Sequence, residues 1–137
     1  MIQTIEKVML LRGVELFAAV DGEALAAVAR VTTDAHVAAG APLVCEGDHG
    51  DALFVVVSGR ARLLKGERVL GEVGERSVLG EVALLDPGPR TATIVAVTDL
   101  ELLRIGRDDF VEILAAYPEV ATGVIRMLAR RMREALG

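Results

Sequence analysis

The sequence is short of the residues that most often carry chemistry. Its 137 residues hold one cysteine, two histidines, one tyrosine, three phenylalanines and no tryptophan. A lone Cys45 cannot form an intramolecular disulfide, in agreement with a reducing compartment. Long hydrophobic runs are missing as well. The longest, Ala52 to Val57, falls far short of the roughly 20 residues that a spanning helix needs, although the mean hydropathy is +0.46. The N-terminus "MIQTIEKVML" mixes acid with base and has no small-residue cleavage site, so it does not read as a secretory signal. These absences predict a cytoplasmic protein with no membrane insertion. Positive charge is also scarce, with 15 Lys and Arg against 20 Asp and Glu and a net charge of −5. That balance argues against a broad basic face for direct nucleic acid binding. A small anionic ligand stays open, because local geometry decides its binding.

What the chain has in abundance is aliphatic surface: 53% of its residues are apolar. Disorder is thereby excluded, and the length suits one compact domain over 1–137. Helical spacing of Ile5, Val8 and Met9, then Leu16 and Phe17, predicts a short helix, a break at Gly13 and a further turn. Asp21 is an N-cap candidate for a helix running to Arg30. The first helices therefore occupy 1–30 and feed a core.

From residue 31 to 106 the pattern changes to β-branched residues punctuated by glycine. "ALFVVVSGRARLL" predicts a strand, a hairpin turn at Ser58-Gly59 and a second strand, and "KGER" predicts another hairpin turn. "TATIVAVTDLELLRI" predicts two short strands bent near Thr98-Asp99. Short strands about ten residues apart indicate an antiparallel β-roll of jelly-roll type. Residues 107–136 return to helix. Asp108 and Asp109 favour a first turn, Pro118 stops one helix and opens the next, and Gly137 closes it. Ala121, Ile125, Leu128, Met132 and Ala135 follow a four-three spacing, a narrow apolar seam with most of the arginines off it. Packing of that seam within the chain is the default, and a homodimer through the last helix is the alternative. The fold class is α+β, a β-roll flanked by N-terminal helices and two C-terminal helices.

No Ser-His-Asp order, Walker A or dinucleotide fingerprint stands out, and no catalytic residue is assigned. "CEGDHGD" (Cys45–Asp51) groups a thiol, a histidine and carboxylates. Without a paired H-x-H it reads as a polar turn with a semi-buried thiol, and no metal site is assigned. "VLGEVALLDPGPRTATIVA" (Val78–Ala96) is richer. Gly80 lets the backbone approach a ligand, and "EVALL" is long enough for one helical turn with free N–H groups at its start. Arg90 follows a Pro-Gly-Pro turn and suits bidentate contact with a phosphate. Glu81 can accept from a sugar hydroxyl. Spacing alone leaves two readings open, an anion cradle or an ion pair across a surface loop.

The same stretch resembles the phosphate-binding cassette of the cyclic nucleotide-binding domain family, which includes the bacterial catabolite activator and the regulatory subunits of cAMP-dependent kinase. "GDHGDALFVVVSGRARLL", "LGEVGERSVLGE" and "LLRIGRDDFVEIL" resemble the flanking parts in the right order, from about Leu16 to Leu136. The resemblance implies that Arg90 binds the cyclic phosphate and Glu81 the ribose 2′-hydroxyl. It implies that backbone N–H groups near Gly80, Val82, Ala83 and Thr91 complete the cradle, and that the β-roll wall and the last helix cover the base. The ligand is then cAMP or cGMP, with no cofactor and no chemistry performed.

Two positions depart from the family pattern. Leu79 stands where an aromatic is often found, and the last helix has no aromatic to stack on the base, leaving Met127, Leu128, Met132 or an arginine plane. Thr91 resembles the guanine-recognising threonine of the cGMP-dependent kinases, but bacterial cAMP binders also carry a hydroxyl there; the balance leans to cAMP. The resemblance also carries two alternatives. One is the ligand-binding half of a transcription regulator without its helix-turn-helix, the other a degenerate domain used for protein interaction. The chain stops where the helix-turn-helix would begin, so an effector domain outside it is expected.

Overall fold

A computed structural model describes residues 2–137. The chain forms two compact units: Thr32–Arg107, and a helical unit made from the segments up to Val31 and from Asp108 onward.

In the first unit eight strands form two four-stranded antiparallel sheets: β1 (Thr33–Val37), β2 (Pro42–Val44), β3 (Ala52–Ser58), β4 (Ala61–Lys65), β5 (Arg68–Val73), β6 (Val78–Leu79), β7 (Thr93–Ala96) and β8 (Leu100–Gly106). One sheet has the order β1-β8-β3-β6 and the other β2-β7-β4-β5. This is the antiparallel β-roll that the strand spacing and glycine turns predict. One expected pairing is corrected. β3 and β4 do not form a hairpin, because the turn at Ser58-Gly59 carries the chain from one sheet to the other. Gly59 has φ +98, and a Cβ there would run into the Asp99 carbonyl oxygen. The turn is fixed by contact with a distant strand connection rather than by pairing of its own arms. The "KGER" hairpin forms as expected, with Lys65 opposite Arg68.

β3 sits inside its sheet, and Ala52 to Val56 are all buried. Ala52, Phe54 and Val56 join Ala61, Leu79, Ile94, Ala96, Leu100 and Leu102 in one apolar cluster. Consecutive strands mostly alternate between the sheets, so residues far apart in sequence meet there. The close of β6 and the start of β7 bracket the cassette, which contains a single short helix, α3 (Glu81–Leu85).

The helical unit contains α1 (Thr4–Arg12), a 3-10 turn (Glu15–Phe17), α2 (Gly22–Val31), α4 (Arg107–Ala116), whose first residue belongs to the β-roll unit, and α5 (Pro118–Leu136). Asp21 caps α2 as its side-chain chemistry predicts, accepting from the Ala24 N–H at 3.0 Å. Leu11, Leu16 and Phe17 are buried, but Ile5 and Met9 are each 73% exposed, so the first helix feeds the core less than its spacing suggests. In α5 the buried residues are Val120, Val124 and Met127. This corrects the expected packing of the four-three seam. Ile125 and Met132 are 66% and 63% exposed, because the buried stripe lies one residue to the side of the seam. No helix among the described residues is long and apolar enough to cross a membrane.

Candidate functional site

The site is built around Arg90. Its side chain is only 6% exposed. Nη1 donates to the Gly80 carbonyl at 3.1 Å, and Nη2 donates to the Ala52 carbonyl at 2.9 Å. One of these oxygens precedes α3 and the other begins β3. The guanidinium therefore joins the cassette to the central strand through two neutral acceptors. Burial lowers its pKa from the ordinary arginine value; the charge of Asp51 opposes that shift and Arg104 adds to it. Arginine stays protonated through any such change at neutral pH. A buried cation held by carbonyls gains strongly from a bound anion, since a charge removed from water favours a partner of opposite sign.

Gly80 has φ +84 and ψ +9, a left-handed conformation that glycine adopts without strain. A Cβ at this position would collide with Arg90 Nη1, so the residue is required both by its conformation and by the space it leaves. Glu81 opens α3 and is 6% exposed. Burial of a carboxylate demands partners, and an ion pair across a surface loop does not describe two residues that are both buried.

The remaining predicted residues divide. Ala83 is buried, whereas Val82 is 47% exposed. Thr91 is exposed and follows Arg90 in a bend before β7, and its carbonyl accepts from Lys65 Nζ at 3.3 Å. Gly80 and Ala83 thus lie close to Arg90, the first through its carbonyl and the second beside the Gly50 backbone that Arg90 also adjoins. Glu81 is buried next to Gly80 in sequence, and the side chains of Val82 and Thr91 are exposed.

The segment "CEGDHGD" is part of this arrangement, a role that a reading as a polar turn leaves out. Gly47 N–H donates to the Arg90 carbonyl at 2.9 Å, and Arg90 N–H donates to the Asp48 carbonyl at 2.6 Å. His49 and Pro89 form an isolated antiparallel bridge. The loop before β3 is thereby strapped along the turn that delivers Arg90. Two glycines flanking a histidine beside a Pro-Gly-Pro turn were the available signal, but pairing between segments forty residues apart is not written in either one. Cys45 is exposed, which corrects the semi-buried thiol. Among the described residues no group of three or more His, Cys, Asp or Glu side chains is placed to hold a metal ion.

This geometry agrees with the comparisons to known proteins. The family profile of the cyclic nucleotide-binding domain matches residues 34–117. The cyclic AMP receptor protein of Thermus thermophilus is 43% identical over 101 residues, covering 70% of this chain and 47% of that protein. Among solved structures, the N-terminal domain of a transcriptional regulator from Streptomyces coelicolor superimposes with a TM-score of 0.77 at 40% identity, over 92% of each chain. The regulatory domain of Toxoplasma gondii cAMP-dependent kinase, crystallised with cAMP, gives 0.75 at 35% identity, over 81% of this chain and 44% of that one. The chain belongs to the cyclic nucleotide-binding domain family. It spans about half the length of the first curated relatives it matches, 47% and 55%.

Proposed function

We propose that residues 1–137 act as a single cyclic nucleotide sensor that performs no reaction, and that it works in the cytoplasm. Arg90 binds the cyclic phosphate, Glu81 accepts the ribose 2′-hydroxyl, and backbone N–H groups near Gly80, Val82, Ala83 and Thr91 complete the cradle. The observation that carries this reading is the buried Arg90 guanidinium, which is held by two neutral carbonyls, with Glu81 of the same short segment also buried. cAMP is the favoured ligand, because the Thermus relative is named for it and the Toxoplasma domain was crystallised with it. cGMP is the competitor through the exposed Thr91 hydroxyl.

The output is a population shift toward the state that binds ligand better, with movement of the C-terminal helix passing the signal to an effector domain. A ligand of equal affinity for both states would switch nothing. The exposed seam of α5 supports a homodimer through that helix. Calorimetry with each nucleotide tests the ligand, and thermal shift tests the alternative of a degenerate interaction domain. Saturating cAMP or cGMP is expected to raise Tm, and no rise with either would reject the sensor reading. Sedimentation of the wild type against Ile125→Glu/Met132→Glu tests the dimer, which is expected to dissociate.

A further inference from the structure

We infer that Gly50 is a positioning residue for the Arg90 guanidinium, so that the loop before β3 is part of the anion site. Its consequence for ligand affinity rests on the cyclic nucleotide reading. A Cβ on Gly50 would lie 2.5 Å from Arg90 Nε, 2.6 Å from Arg90 Cζ and 2.9 Å from Ala83 Cβ. The guanidinium therefore rests directly on the glycine backbone. Gly50 is absent from the positive-φ residues of the chain, so its backbone conformation does not call for glycine. The space does.

The loop has little freedom to retreat. Besides the two hydrogen bonds joining Gly47 and Asp48 to Arg90, Gly50 N–H reaches the Gly88 carbonyl at 3.5 Å, and His49 bridges Pro89. The guanidinium is bounded by Gly50 and by its two acceptors, the carbonyls of Ala52 and Gly80. It is also the far end of a flexible side chain. When a methyl group is added at residue 50, the guanidinium yields before the strapped backbone does, and the closeness to the Ala83 methyl is left to a small local shift. The expected effect falls on the placement of the charge, and much less on the fold. Gly80 would be a poorer probe, because its left-handed φ strains any substitution.

The test is Gly50→Ala, read first without ligand. In the wild type the Arg90 side-chain N–H signals, assigned by their loss in Arg90→Ala, are expected to be protected from solvent exchange. In Gly50→Ala they lose that protection while the backbone spectrum of the β-roll is retained. Titration with cAMP is then expected to show about tenfold weaker binding, the scale of one charge-assisted contact. Adding Gly50→Ala to Arg90→Ala should cost much less affinity than Gly50→Ala costs alone, because without the guanidinium the nearest remaining contact is the Ala83 methyl. Unchanged protection, wild-type affinity in Gly50→Ala, or an equal loss in the Arg90→Ala background would each overturn the inference. If Gly50→Ala alone fails to fold, the double variant Gly50→Ala/Arg90→Ala is expected to fold, and its failure would be equally fatal. A wild type that binds neither nucleotide would reject the proposed function, while the exchange measurement would still decide the role of Gly50.

Discussion

Arg90 in the β-roll unit and Arg130 in the helical unit are the same side chain in opposite circumstances. Arg130 has a half-exposed side chain and is met by two carboxylates. It donates to Glu15 of the 3-10 turn through Nε and Nη2, and to Glu134 one turn along α5 through Nη1. These bonds raise its pKa above the ordinary value and hold the Glu15 carboxyl below its own. Arg90 is almost wholly buried and has two neutral carbonyls, and burial moves its pKa the other way. The exposed guanidinium has its charge cancelled within the chain and serves to fasten α5 to the 3-10 turn. The buried one is fixed in position by neutral oxygens, with Asp51 acting on its charge only as a secondary influence. It is this burial among neutral oxygens, rather than the presence of an arginine, on which the proposed anion site rests.

The sharpest way to break this comparison is Arg90→Ala. It removes the proposed phosphate contact, and cAMP affinity is expected to fall at least about tenfold by calorimetry. Arg130→Ala, measured alongside, should leave affinity within a small factor of wild type. Equal losses from both would show that burial does not separate the two arginines.

The next effect concerns how α5 is held. A Cβ on Gly123 would collide with the backbone carbonyl oxygen of Leu16, in the segment that also carries Glu15. Helix propensity favours Gly123→Ala by about 1 kcal/mol. Overpacking against an atom that cannot rotate away costs about 1–3 kcal/mol. The clash wins, and chemical denaturation is expected to show a net loss of stability. A gain would mean that the contact between the 3-10 turn and α5 relaxes freely.

The smallest effect is the ion pair itself. Glu15 has a folded-state pKa below its ordinary value of 4.5. A depressed carboxyl contributes stability above its unfolded pKa, and that contribution disappears as pH falls through the folded value. Thermal melts should therefore show Tm falling as pH drops below about 4.5, with Glu15→Gln flattening that part of the profile. Because the pair is exposed, the change is expected to be slight and to shrink in high salt.

The elements of the fold were largely legible in the residues. Local chemistry acts over a few positions, so the Asp21 cap, the proline that opens α5 and the "KGER" hairpin could be read directly. Within the proposed site, Gly80, Glu81 and Arg90 could be named together because one short segment carries them all. The Ser58-Gly59 turn was not legible, since the choice between a hairpin and a crossing of sheets is made by the Asp99 carbonyl, some forty residues away. The seam of α5 misled for a similar reason. Two apolar stripes, Val120-Val124-Met127 and Ala121-Ile125-Leu128-Met132, lie side by side on that helix, and periodicity cannot rank them.

The sequence by itself determined the residue types: a scarcity of catalytic side chains, aliphatic strands divided by glycine, and one arginine after a rigid turn. Tertiary structure alone decided that this arginine is buried. It did so by bringing the Ala52 carbonyl, the Gly80 carbonyl and the bare backbone of Gly50 to the same guanidinium. Burial and hydrogen bonding depend on which distant segments meet, and a charge acquires its preference for an anion only once the surrounding water has been replaced.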